Sequence, residues 1–244
     1  MVRLAIWNTP FTKPVGHAFD SVPGISVFQG SSVDVVARLA ADQADVALVP
    51  ADHALTASDD VDILPAVAVS MWQAESSRLV LPSGLSSPVL SLLTGPESLY
   101  MTLLARIVLK EHYGKQVLVL DAGEFQLHPS WMPAVVAEGE GDPFEMDLVQ
   151  EWSEMAHYPL VAALFITRKG QATGEVIRTV RDVVCAFDDK RDDRERNRVR
   201  LRLDDLTVAS LSELADYLFY YEMTPEIQGV TFASLDDEEE ETHP

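Results

Sequence analysis

One cysteine, Cys185, is all the chain carries, so no intrachain disulfide holds its fold. It sits in the apolar run Val183-Val184-Cys185-Ala186-Phe187 and is expected to pack rather than react. Lysine is scarce, with five in total: Lys13, Lys110, Lys115, Lys169 and Lys190. No apolar run approaches the ~20 residues that a membrane-spanning helix needs. The opening Met1-Val2-Arg3-Leu4-Ala5-Ile6-Trp7 is too short and too soon polar for a signal peptide, so the protein is expected to stay in the cytoplasm. There is no GxSxG, no P-loop and no GxGxxG; Gly139-Glu140-Gly141 lacks the strand-to-helix context of a dinucleotide site. The histidines, His17, His53, His112, His128, His157 and His243, lack ligand spacing, so no metal site is expected. Internal repeats are absent.

What is abundant is negative charge. Asp and Glu number 39 against 18 Lys and Arg, a formal net charge of −21. Such a surface repels phosphate backbones and anionic lipid, which argues against nucleic-acid and membrane partners. At molar salt the Debye length falls to about 3 Å and this self-repulsion is screened, so the composition suits a high-salt cytoplasm. An acidic protein of ordinary surroundings fits the same numbers. With 244 residues, 47% of them hydrophobic, the chain can bury a core of one large domain or two lobes.

Local pattern points to an α/β fold. Residues 2–7 read as a buried strand broken at Asn8-Thr9-Pro10. Ser31 is placed to cap a helix over Val35-Val36-Ala37-Arg38-Leu39, and Asp45–Pro50 is a strand stopped by proline and followed by a helical turn at Ala51–Leu55. Strand, helix and strand of these lengths make a βαβ unit and a parallel sheet. Further strands are expected at Ile63–Ser70, Ser77–Leu81, Gln116–Leu120, Ala134–Ala137 and Leu160–Thr167, and helices at Leu99–Tyr113, Glu175–Phe187 and Leu211–Tyr221. The mixed charge run Asp188–Arg200 reads as an exposed helix face. The expected division is 1–85 plus 188–235 as lobe 1, 86–187 as lobe 2, and 236–244 as a disordered acidic tail.

The strand ends are rich in small hydroxyl and amide side chains: Asn8-Thr9, Ser76-Ser77, Ser83, Ser86-Ser87 and Thr94 to Ser98. In open parallel sheets ligands bind beyond the carboxyl ends of strands, and a helix start presents free N–H groups to an anion. Thr94-Gly95-Pro96-Glu97-Ser98, ahead of a long helix, suits a ligand carboxylate; plain capping is the alternative. These features describe a small-anion-binding α/β protein and name no reaction.

Several segments in order resemble the chorismate dehydratase family of menaquinone biosynthesis over roughly residues 2–232. Leu4-Ala5-Ile6-Trp7-Asn8-Thr9-Pro10 resembles the family's opening strand, which ends in Leu-Asn-Thr and proline. Ala44-Asp45-Val46-Ala47-Leu48-Val49-Pro50 resembles its Val-Asp-Val-Ala-Leu-Val-Pro, Glu75–Leu81 its serine-led strand, and Gly141-Asp142-Pro143 its Gly-Asp-Pro-Ala loop. Asp147-Leu148-Val149-Gln150-Glu151-Trp152 followed by Tyr158-Pro159-Leu160-Val161-Ala162 is similar to its Asp-Leu, Glu-Trp, then Gly-Leu-Pro-Phe-Val. Tyr217–Glu226 resembles its final tyrosine-rich helix and turn.

The resemblance implies a two-lobed periplasmic-binding-protein-like (type II) fold with mixed, mainly parallel sheets and a ligand cleft between lobes. It also implies a hydro-lyase that converts chorismate to 3-[(1-carboxyvinyl)oxy]benzoate and water without metal or organic cofactor. Asn8 would touch the reacting ring. Thr9, Ser76, Ser77, Ser98, Tyr100 and Asp142 would hold the carboxylate substrate. The chain departs from the family at Tyr100-Met101, where the family has Thr-Ser, at Ala51, where it often has serine, and around His157-Tyr158, where its glycine is missing. Two other readings stay open: a non-catalytic cytoplasmic paralogue binding another small anion, and the pathway's dihydroxynaphthoate-forming sister enzyme.

Overall fold

A computed structural model describes residues 1–20, 22–74, 77–82, 84–94, 99–121, 134–138 and 146–234. The chain divides into two compact units: Met1–Met71 with the stretch from Val161 on, and Trp72–Leu160. Sequence pattern placed the boundaries at 85 and 187. The segment Val161–Phe187 instead belongs with the first unit, because its strand and helix pack on that unit's sheet.

The first unit is built on β1 (Val2–Trp7), α1 (Lys13–Phe19), β2 (Ile25–Gly30), α2 (Ser32–Ala40), β3 (Val46–Pro50), α3 (Ala51–Thr56) and β4 (Val61–Met71). The second holds β5 (Ser77–Val80), β6 (Val89–Thr94), α4 (Leu99–Ile107), β7 (Gln116–Asp121), β8 (Ala134–Glu138), β9 (Met146–Asp147) and α5 (Leu148–Ala156). The chain then returns to the first unit through β10 (Leu160–Arg168), α6 (Gly174–Asp188), α7 (Asp193–Arg198), β11 (Arg200–Leu201) and α8 (Asp205–Tyr220).

The first unit's six-stranded sheet has the order β11-β4-β10-β3-β1-β2. Apolar β1 and β3 lie inside it, parallel to each other, with Leu4 opposite Val46 and Ile6 opposite Leu48. Every residue of β3 is buried, and so is nearly all of antiparallel β10, as strands covered on both faces must be. Phe19 of α1 meets Phe165 of β10 edge to face, ring centroids 6.2 Å apart. Ser31 caps α2 as its sequence position predicts, accepting from the Asp34 N–H at 3.2 Å. At the sheet's amino end Arg3 grips Asp45, with Nη2 to Oδ1 at 2.5 Å, and Asp42 bridges Arg3 and Arg168 at 2.9 and 2.7 Å.

The second unit's five-stranded sheet has the order β7-β6-β8-β5-β9 and mixes parallel with antiparallel pairs. Asp147 organises its corner: Oδ1 caps α5 through the N–H groups of Val149 and Gln150, and Oδ2 accepts from the Ala74 N–H at 2.7 Å. The expected helix Leu99–Tyr113 changes character at Val108. From there to His112 it widens into a π-helical turn, with the Tyr113 N–H reaching the Val108 carbonyl at 3.3 Å. His157 holds a left-handed φ of 62° just after α5, a conformation that favours glycine.

Two expectations are corrected. Cys185 is exposed: α6 is amphipathic, and its buried stripe runs through Ile177, Val180 and Val184, leaving the next position outward. The charge run from Asp188 is not wholly solvated. Asp188 and Arg191 form a buried pair at 2.7 Å, and Arg191 also donates to the carbonyls of Glu195 and Val199. The acidic tail 236–244 lies outside the described residues. Among the described residues no helix is long and apolar enough to cross a membrane.

Candidate functional site

Parallel β1 and β3 end side by side at the carboxyl edge of the first sheet. Carrying the register on from Ile6–Leu48 brings Asn8 level with Pro50. The Asn8 backbone N–H donates to the Gly30 carbonyl at 2.8 Å, which extends the β1–β2 ladder by one residue, and the Asn8 residue stands exposed. Gly30 has no room for a side chain, because a Cβ there would lie 2.7 Å from the Phe28 ring, itself covered by the Arg38 guanidinium.

The turn beyond Asn8 is held by Thr12. Its hydroxyl donates to the Trp7 carbonyl and accepts from the Thr9 N–H at 3.1 Å. Thr9 is buried, its own hydroxyl 3.4 Å from that of Thr12, so its visible work is to shape the turn that carries Asn8. Pro14 then sits in the first turn of α1, where its missing N–H costs nothing.

Beyond Pro50, Asp52 is the second residue of α3. Its Oδ1 is sealed from solvent with no hydrogen-bond partner among the described residues. Burial pushes the carboxyl up to about 6, against the opposing pull of the His53 and Asp52 backbone N–H groups. Neighbouring His53 is half-buried, and desolvation holds its pKa below the usual imidazole value. Sequence pattern placed Asp52 in a helical turn without a role. A carboxylate two residues past the proline that ends a fully apolar strand was the available signal.

In the second unit Ser77 opens β5. It is fully buried, and its hydroxyl has no partner among the described residues. Tyr100, on the first turn of α4, is 3% exposed and sits in that unit's core beside Met101. Thr94, at the end of β6, lies 2.9 Å from Thr102 hydroxyl to hydroxyl. Ser76, Ser98 and Asp142 lie outside the described residues.

The fold also gathers donors that sequence spacing did not. His112, at the end of the π-helical turn, lies with Glu151 and Glu154 of α5 so that one ligand atom from each falls within 4.8 Å of the others. Such a mixed nitrogen and carboxylate set has the chemistry of a divalent-cation ligand set. Two of its oxygens are already engaged: Glu151 Oε2 accepts from the Tyr113 hydroxyl at 2.6 Å, and Glu154 Oε1 from the Gln150 amide at 2.8 Å. Burial and then the Glu151 bond push the Tyr113 phenol well above its ordinary range.

Known proteins place this architecture. A protein of Archaeoglobus fulgidus is 14% identical, with a TM-score of 0.61 over 91% of this chain and 98% of its own. The alkanesulfonate-binding protein SsuA of Xanthomonas axonopodis pv. citri, bound to MOPS, is 14% identical, with a TM-score of 0.61 over 94% and 96%. A Candida albicans protein described as having the generic periplasmic binding protein structural fold is 13% identical, with a TM-score of 0.56 over 93% and 91%. At these identities the likeness gives the fold, which is that of the periplasmic binding proteins. No curated protein matches the chain. The family model described as menaquinone biosynthesis matches residues 2–226, so the chain belongs to that family.

Proposed function

We propose that the protein is a chorismate dehydratase, a hydro-lyase that removes water from chorismate to give 3-[(1-carboxyvinyl)oxy]benzoate in the cytoplasm. The observation that carries the reading is the family match across residues 2–226. The chemistry asks little of a protein. The product ring is aromatic, which drives the reaction, and the enzyme must orient a dicarboxylate, take up one ring proton and ease the departure of hydroxide. Fixed donors in a shielded site serve those ends.

Asn8 supports the reading by its position. It is exposed at the carboxyl end of a central parallel strand, where an amide can donate to the leaving hydroxyl or to a carboxylate. Ser77 offers a desolvated hydroxyl with no partner among the described residues, a donor suited to a substrate carboxylate. Ser76, Ser98 and Asp142 are assigned to carboxylate recognition on the family resemblance. Thr9 contributes by holding Asn8.

A non-catalytic small-anion binder is the second reading. It is favoured by the core position of Tyr100 and Met101, at 3% and 2% exposure, where the family carries a Thr-Ser turn. Product analysis after incubation with chorismate separates the two: the dehydratase yields the aromatic ether, and the binder returns chorismate unchanged.

A further inference from the structure

Basic side chains are scarce in this chain, 18 against 39 acidic ones, yet seven of them fall between Lys190 and Arg202, where three acidic residues accompany them. The fold turns part of that run into a cavity. A pocket of about 260 Å³ in the first unit is lined by Arg196 and Asn197 of α7, Arg200 of β11 and Arg202 just after it, with Asp188 and Asp193 on its wall. Local pattern explains the gathering. Leu201 is buried, paired with Val69 of β4, so alternation along the extended chain sends Arg200 and Arg202 together to the other face. Arg196 sits in the last turn of α7, four residues before Arg200.

The two carboxylates on the wall are already engaged. Asp188 pairs with buried Arg191 at 2.7 Å, and Asp193 with Arg196 at 3.0 Å. Arg200 gives Nη2 to Asp204 at 2.5 Å, while its Nη1 has no partner among the described residues. Arg202 makes no hydrogen bond or ion pair among the described residues. The wall thus carries three guanidinium groups against two carboxylates, in a molecule whose net charge is −21. Ser70 adds a second unmet group. It stands directly opposite Arg200 in the antiparallel β11–β4 register, is fully buried, and its hydroxyl has no partner among the described residues. Side chains directly opposite in such a pair share one face of the sheet, with Cβ atoms about 4.5–5.5 Å apart. Unmet polar groups are costly to a fold, and here two of them meet at one position beside an arginine-lined cavity.

We propose that this cavity binds a small oxyanion of the phosphate class. A guanidinium presents paired N–H donors in a planar fork that matches phosphate oxygens, and a wall with surplus positive charge favours a dianion over chloride. The volume lies just below the ~300–1,000 Å³ of pockets for drug-sized ligands, so the occupant is free phosphate or the phosphate of a small monoester. The charge of the whole molecule keeps polyanionic nucleic acid away. The site is separate from the strand ends that carry Asn8. β11 is the outermost strand of its sheet, four places from β1 in the strand order, which is about 19 Å at ~4.8 Å per strand. The inference goes beyond the dehydratase reading and does not rest on it.

The test is calorimetric titration of the purified protein with inorganic phosphate near neutral pH, at an ionic strength held constant with sodium chloride. Phosphate is expected to bind saturably, with Kd below about 10 mM. Arg202→Gln, a change at an exposed side chain without a partner among the described residues, is expected to weaken binding at least ~tenfold, the effect of one lost hydrogen bond to a charged group. Arg196→Gln is expected to weaken it to a similar degree. Arg194→Gln, on the same helix but off the cavity wall, should leave Kd within about twofold, because an exposed charge is screened. A parallel titration with glycerol 3-phosphate identifies the source: tighter binding than inorganic phosphate marks a monoester, and equal or weaker binding marks the free ion. The absence of saturable phosphate binding overturns the site. So does an Arg202→Gln protein that binds as tightly as wild type, or an Arg194→Gln protein that loses as much as Arg202→Gln. No chorismate is present, so either result leaves the dehydratase reading untouched.

Discussion

The backbone N–H of Asn8 donates to the Gly30 carbonyl over 2.8 Å, so the β1–β2 ladder ends on the residue that stands exposed at the sheet's carboxyl edge. The bond is made by main chain and survives any side-chain change at position 8. Asn8→Ala is therefore expected to keep its melting temperature while losing at least about tenfold in turnover of chorismate. Unchanged kcat/KM in that variant would remove Asn8 from the site.

Ser77 separates stability from binding in the opposite sense. Its buried hydroxyl has no partner among the described residues, so Ser77→Ala is expected to leave stability unchanged or raise it by about 1 kcal/mol. A hydrogen bond to a charged group is worth about 1.5–3 kcal/mol, so the same change should raise KM for chorismate roughly ten- to a hundredfold. A KM that does not move shows that the hydroxyl faces no carboxylate.

Asp52 imposes a stability cost that depends on pH. Its carboxyl rises from 3.8 in the unfolded chain to about 6 in the fold, so the folded protein holds this proton more tightly. The group favours folding most below pH 3.8, loses that effect as pH climbs toward 6, and above it leaves a deficit of about 3 kcal/mol. Asp52→Asn should thus be more stable than wild type at pH 8, with the gain shrinking on acidification toward pH 4. Parallel denaturant titrations at the two pH values check this; equal gains at both would place the carboxyl in water.

The first βαβ unit was legible because each of its signals is local: apolar β1 and β3, the Ser31 cap, the stop at Pro50. Elements with split signals were not. β2 has no fully buried residue and no strict alternation, and α1 begins within a Thr-Pro-Phe-Thr-Lys-Pro stretch that reads as loop. β9 and β11, of two residues each, exist through their partners and carry no periodicity of their own. Asn8 was readable from its place at a strand end. Asp52 was not, because its character comes from burial, which only the packing of α3 on β3 and α8 creates. The Asp188–Arg191 pair was hidden the same way inside a run of charges.

His157 carries a side chain at a backbone conformation that favours glycine. The residue is exposed and left-handed, at φ 62°. A side chain in that conformation costs roughly 1–2 kcal/mol, and glycine gives back roughly 0.5–1 through the freedom of the unfolded chain. His157→Gly is expected to stabilise the protein by a few tenths to about 1 kcal/mol, with activity unchanged. Thermal denaturation reads the difference, and a loss of stability would mean that the imidazole makes a contact of its own.

The most direct test of the account is to incubate the purified protein with chorismate, in low and then molar salt, and follow the absorbance of the ring diene. The account predicts that the diene disappears and the aromatic enolpyruvyl ether forms in at least one of the two conditions. Persistent chorismate in both, with a protein shown to be folded by circular dichroism, would contradict it.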